Sequence, residues 1–137
     1  WPWFEICDRI CIDSTGLGIG WTDDAQDKFG EQRVEGVNFS GQVKEALAYP
    51  LKGAMEDRKV RIPEDAKIRA DLRKVQKLTT AAGNIRFVAE STPDGHADRF
   101  WALALALHAG SNPSAPIEFT SGGPRESSQS SSGFIHG

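Results

Sequence analysis

Apolar residues along this chain come in two spacings, short continuous runs and helical stripes, and the two alternate. Ile10, Cys11 and Ile12 run unbroken inside RICID (9–13), the pattern of a short strand buried on both faces. WTDDAQDKFG (21–30) is predicted as a helix, with Thr22 as its cap, early aspartates matched to its N-terminus and Gly30 as its stop. RVEGVNF (33–39) is a second strand. In GQVKEALAYPLKGAMEDR (41–58), Val43, Leu47, Leu51 and Met55 recur at helical spacing, with a kink expected at Pro50. KVRIP (59–63) is expected as a short strand, and residues 64–74 as a charged amphipathic helix with Ile68 and Leu72 on its apolar side. QKLTTAAGNIRFVAES (76–91) suggests a strand pair around AAGN. Thr92 as cap, Pro93 at the first helical position and Asp94 in the first turn predict a last helix through GHADRFWALALALHAG, ending near Gly110. Its apolar contacts are expected through Phe100, Leu103 and Leu107, with Trp101 and Leu105 on an adjoining face. Residues 111–137 are rich in Ser, Gly and Pro and too poor in apolar residues for a core, so they are read as a flexible tail. Strands alternating with helices indicate an α/β layered fold.

Composition adds limits. With 137 residues, 39% of them hydrophobic, the chain can bury one modest core. Its net charge of -3 is unevenly spread: residues 1–41 carry three basic and eight acidic side chains, residues 42–77 ten basic and six acidic. The positive middle permits a polyanionic partner and fits solvated helix faces equally well. Cys7 and Cys11 would lie about 13 Å apart in an extended segment, too far for a disulfide. No second Cys/His pair has zinc spacing, so both are read as buried thiols in a reducing compartment. No signal peptide or membrane-length apolar run is present. The chain opens on WPWFEICDRI without an initiator Met, which suggests a piece of a longer protein.

The chemistry centres on CIDSTGLGIG (11–20), where a strand ends on Asp13 and enters a turn with glycines at 16, 18 and 20. A dinucleotide fingerprint needs G-x-G-x-x-G; here the spacing is G-x-G-x-G, Asp13 would face the pyrophosphate, and no P-loop lysine follows. A metal fits better, because strand ends in α/β sheets deliver ligands and two-metal hydrolysis needs carboxylates converging from different elements. Asp94 and Asp98, four apart at the expected start of the last helix, would share one face, with His96 pointing elsewhere. Asp94 equally serves as compensation of the helix dipole, and Gly16 and Gly18 equally serve only the turn.

RICIDSTGLG, VNFSGQVKEALAYPLKGAMEDRKVRIP and AAGNIRFVAESTPDGHADRFWALALALHAG, in that order, resemble the nuclease domain of phage terminase large subunits, especially of Mu-like phages and prophages. The resemblance spans residues 9 to 110 and implies an RNase H-like mixed sheet flanked by helices, in residues 1–110. In that family catalytic acids come from a first central strand, from the end of a later strand and from the closing helix. Asp13 matches the second and Asp98 the third, with Asp94 a possible further metal ligand and His96 in the outer part of the site. Glu5 and Asp8 stand too close to Asp13 to supply the first. The domain is therefore expected to lack its first strands in this chain, which puts the chain's own activity in doubt.

The implied function is metal-dependent endonucleolytic cutting of viral DNA during packaging, with two Mg²⁺ or Mn²⁺ ions in the intact domain. Asp13 and Asp98 are expected to converge within roughly 8 Å, a span two bridging ions could fill. Lys44, Lys52, Arg58, Lys59 and Arg61 are candidate contacts to the phosphates of double-stranded DNA. The resemblance also implies the portal and the small terminase subunit as partners, no membrane, and action in the cytoplasm of the bacterial host. The alternative is a non-catalytic RNase H-like module that docks on DNA, the portal or another packaging protein.

Overall fold

The computed structural model describes residues 1–89, 93 and 95–111. Five helices and four strands occur among them, in the order α1 (Pro2–Ile6), β1 (Ile10–Asp13), α2 (Gly18–Phe29), β2 (Val34–Val37), α3 (Gly41–Glu56), α4 (Ala66–Lys74), β3 (Val75–Thr79), β4 (Ile85–Ala89) and α5 (Asp98–Ser111). The class is α/β, as the alternation predicts, with the described strands forming two pairs. β1 and β2 run parallel with Cys11 opposite Glu35 and Asp13 opposite Val37. β3 and β4 form the antiparallel hairpin around the AAGN turn.

The period of two in β1 and β2 sets what each face meets. Val34 and Gly36 look toward α2: a Cβ on Gly36 would stand 2.7 Å from the Thr22 methyl, so the glycine lets helix and strand approach. Glu35, Val37, Cys11 and Asp13 look the other way, toward α5, which packs on β1. α5 in turn packs against α3 and α4, and α3 covers β4. The common core holds Val37, Leu47, Ala48, Leu51, Ala97, Phe100, Ala104 and Leu105. Leu51 is fully buried on α3, a contribution of about 2–3 kcal/mol relative to exposure.

Several expectations shift, each for a local reason. Thr22 is not a cap: α2 begins at Gly18, with Leu17 before it, and the Thr22 hydroxyl donates to the Gly18 carbonyl at 2.8 Å from inside the helix. The helix starts early because the turn closes at once, with Gly18 N–H on the Thr15 carbonyl and Ile19 N–H on Gly16. Gly30 does end α2, at φ 90°. α3 is capped by Ser40, which accepts from the Val43 amide, and it runs through Pro50 with one ladder bond forgone. KVRIP forms no strand. Val60 packs on the core, and Pro63 has no amide to offer a ladder. α4 is capped by Asp65, whose carboxylate accepts from the amides of Lys67 and Ile68.

The last helix departs most. Pro93 lies in a turn, and α5 begins only at Asp98. Gly95 (φ 105°) and Ala97 (φ 61°) are left-handed, so no right-handed helix can run through them. The i, i+4 argument that put Asp94 and Asp98 on one helical face therefore fails. Thr92, Asp94 and residues 112–137 lie outside the described residues. Phe100, Leu103 and Leu107 do pack on the core, as expected, but the buried face of α5 also takes in Ala104, Leu105 and Ala109, because the helix is covered by both β1 and the α3–α4 side. Cys7 and Cys11 are both free thiols and half-buried rather than buried.

Candidate functional site

β1 stops at Asp13 because the chain turns on that residue's own side chain. The Asp13 carboxylate accepts the Thr15 amide at 2.9 Å, and the Thr15 hydroxyl accepts the Phe39 amide at 2.9 Å, tying the end of β1 to the segment that opens α3. The three glycines that follow are unlike one another. Gly16 has φ 60°, which suits a residue without Cβ. Gly18 sits against the Asp13 backbone so tightly that a Cβ would stand 1.9 Å from the carbonyl oxygen. Gly20 meets nothing within 4 Å. One glycine serves the turn, one the close approach that seats α2 on the strand end, and one neither.

Asp98 arrives from the opposite direction, at the first residue of α5. Its carboxylate lies over Gly95, where a Cβ would stand 2.8 Å from Oδ2. The start of α5 is held from below by Asp71 of α4, which is 1% exposed. Asp71 Oδ2 accepts both the Arg99 amide and the Arg99 guanidinium at 3.2 Å, and Oδ1 accepts Lys74 Nζ at 3.4 Å. Burial pushes the Asp71 carboxyl upward, but the hydrogen bonds from Arg99 and Lys74 outweigh it and hold the group below the usual carboxylate range.

Asp13, His96 and Asp98 line one open cavity of about 600 Å³, walled by β4 and by Trp101 and Leu105 of α5. Both carboxylates are exposed to solvent. Lys44, from the first turns of α3, reaches the same cavity with its ammonium 5.5 Å from the Trp101 ring centre. The chemistry on offer is a pair of hard oxygen donors from two elements beside one cation, open to water. Asp94 falls outside the described residues.

The family model described as a terminase RNaseH-like domain matches residues 3–109, most of the chain. The chain belongs to that family. No curated protein and no solved structure matches significantly. In this terminase RNaseH-like domain no helix among the described residues is long and apolar enough to cross a membrane.

The five basic candidates of the terminase domain do not form one patch. Lys44 lies at the cavity, whereas Arg58, Lys59 and Arg61 follow the far end of α3, about 20 Å away at 1.5 Å per helical residue. Lys52 pairs with Glu56 and Lys59 with Asp57 at 3.0 Å, both in exposed positions where such pairs constrain little.

A second polar cluster of the terminase domain was hidden by linear spacing. On the α5-facing side of β1–β2, Glu35 is paired with the buried Arg9 guanidinium. The Cys11 thiol lies 3.6 Å from Glu35 Oε2, and His108 Nε2 lies 3.8 Å from Oε1. Burial, reinforced by the Glu35 charge and opposed by Arg9, pushes the Cys11 thiol up to about 11. Burial likewise lowers His108, with Glu35 opposing and Arg9 assisting. Reading the sequence for close Cys/His pairs excluded a soft-metal site here, because the three residues are far apart along the chain. Only the parallel register, which sets Cys11 opposite Glu35, brings the first two together.

Proposed function

We propose that this domain is the endonuclease module of a bacteriophage or prophage packaging terminase of the Mu-like type, cutting double-stranded DNA with a divalent metal at Asp13 and Asp98. What supports the reading is that Asp13, from a strand end, and Asp98, from a helix start, line one open cavity together with Lys44. The donors fit Mg²⁺ or Mn²⁺: both are hard, solvent-exposed carboxylates, and no thiol is among the described lining residues. Asp13 keeps one oxygen on the Thr15 amide, which fixes its rotamer and leaves the other oxygen for a cation. Asp98 lines the same cavity from α5, with its carboxylate over Gly95. Bound there, such an ion supplies a water of lowered pKa and offsets charge on the phosphodiester. Lys44 meets a backbone phosphate as a point charge, and exposed His96 serves the outer part of the site. The partners that accompany this reading are DNA, the portal and the small terminase subunit, in the host cytoplasm.

Plasmid nicking in Mn²⁺ by the intact protein tests it. Asp13→Ala and Asp98→Ala should each lower cutting by at least about 100-fold, the scale for losing one preorganised charge-stabilising group. Metal-dependent cutting that survives in both variants would overturn the assignment. DNA binding without cutting by the intact protein would instead give the module a docking role.

A further inference from the structure

Behind the Asp13–Asp98 cavity, Cys11, Glu35 and His108 each offer one ligand atom, and the three atoms lie within 4.8 Å of one another. We infer that they form a zinc site, separate from the hard-cation site, that clamps α5 onto β1–β2.

The three ligand atoms, all within 4.8 Å of one another, are gathered near the spacing a tetrahedral ion needs. Ligands at about 2.0–2.3 Å from Zn²⁺ stand about 3.3–3.8 Å apart. The Cys11 sulfur stands 3.6 Å from Glu35 Oε2, and His108 Nε2 stands 3.8 Å from Oε1 of the same carboxylate. His108 Nε2 is buried and finds no hydrogen-bond partner among the described residues. A buried ring nitrogen normally has a partner, and a metal is one. Arg9 engages Glu35 Oε2, and Oε1 is the oxygen nearer His108. A carboxylate held by an outer guanidinium is the usual way of fixing a ligand's orientation.

The donor set selects the metal. One thiolate, one imidazole and one carboxylate suit Zn²⁺ and not Mg²⁺, whereas the exposed carboxylates of the neighbouring cavity have the reverse preference. On binding, the Cys11 S–H bond breaks, its proton leaves to solvent, and the sulfur pair bonds the ion. Cys11 also lines a second cavity, of about 930 Å³, together with Arg9, Leu105 and Ala109, and a water from it would supply the fourth ligand.

The placement gives the ion a purpose. Cys11 stands two residues before Asp13 on the same face of β1, and His108 shares α5 with Asp98. An ion joining them ties the strand that carries one site carboxylate to the helix that carries the other.

Cobalt substitution reads this directly. Chelator-treated protein titrated with Co²⁺ should develop a thiolate-to-cobalt charge-transfer band together with the intense visible bands of tetrahedral coordination. Zn²⁺ should displace both. Affinity should fall by about 100-fold in Cys11→Ser and in His108→Gln. Cys7→Ser and Asp13→Asn should keep the band. Circular dichroism establishes that each variant is folded. Should a variant unfold, the band in the unaltered protein and its retention in Cys7→Ser decide alone. A titration without a thiolate band, or a band that follows Cys7, would overturn the site. Because Asp13→Asn abolishes the proposed nuclease ligand and spares this one, failure of either assignment leaves the other standing.

Discussion

Three glycines at alternating positions look interchangeable on paper, yet their substitutions should have opposite signs. Gly18→Ala would drive a methyl into the Asp13 carbonyl, where backbone cannot yield, and should cost about 3 kcal/mol or more. Gly20→Ala, in an exposed stretch of α2 with open space around it, should stabilise by about 0.5–1 kcal/mol by removing glycine's entropic cost in a helix. Urea midpoints at unchanged slope measure both. Gly95→Ala combines strain at φ 105° with a collision against the Asp98 carboxylate, so it should lower both stability and Mn²⁺ affinity. A loss of stability alone would mean that the Asp98 carboxylate is not seated by this contact. Asp13 was legible in the sequence because a strand ending on a carboxylate before a glycine turn is a local pattern. Asp98 was marked by its four-residue spacing from Asp94 and by resemblance, and the spacing argument relied on a helix that starts later. The local signal of Thr92, Pro93 and Asp94 pointed to a helix start several residues too early, and nothing in an alanine announces that Ala97 will take φ 61°.

Elements with a long apolar stripe or a complete turn signal could be read directly. α3 and the β3–β4 hairpin have these, and α4 starts one residue after a capping aspartate. WPWFEI gave no warning of α1, since five residues are too few to show a period. KVRIP looked like a strand because β-branched residues suit any extended segment, and whether a partner lies alongside is not a local property. The join between α4 and α5 is equally non-local, and it rests on Asp71. Asp71→Ala should cost about 1–3 kcal/mol. The larger penalty of a stranded buried charge does not apply, since the Arg99 and Lys74 side chains are 41% and 21% exposed and both cations can turn to water. The sign of the pH effect follows from the depressed carboxyl. Its contribution is full above the unfolded value near 3.8 and is lost as pH falls through the lower folded value. Acid unfolding of the unaltered protein should therefore be steeper below about pH 4 than that of Asp71→Asn, and identical acid limbs would remove Asp71 from the account.

At the scale of the molecule, the cavity holds two described carboxylates against the charge of two dications. Ions about 4 Å apart repel by on the order of 4 kcal/mol even at the dielectric constant of water, and more in a cleft. The 137-residue chain should therefore bind Mn²⁺ weakly, as one partly hydrated ion, and nick plasmid poorly. Its affinity for DNA should survive metal removal and fall steeply with salt, because the basic residues of 42–77 do not depend on the ion. Strong Mn²⁺-dependent cutting by this chain, lost in Asp13→Ala, would mean that a further ligand stands at the cavity. The tryptophans supply an optical means of watching the site. Trp1, Trp3 and Trp21 are 41%, 74% and 64% exposed, whereas Trp101 is half-buried in the cavity wall under the Lys44 ammonium. Iodide should quench the three exposed indoles and leave a bluer emission belonging to Trp101. A phosphate that draws Lys44 off the ring should then change the brightness of that residual signal, so the unlabelled chain reports occupancy of its own cavity by fluorescence.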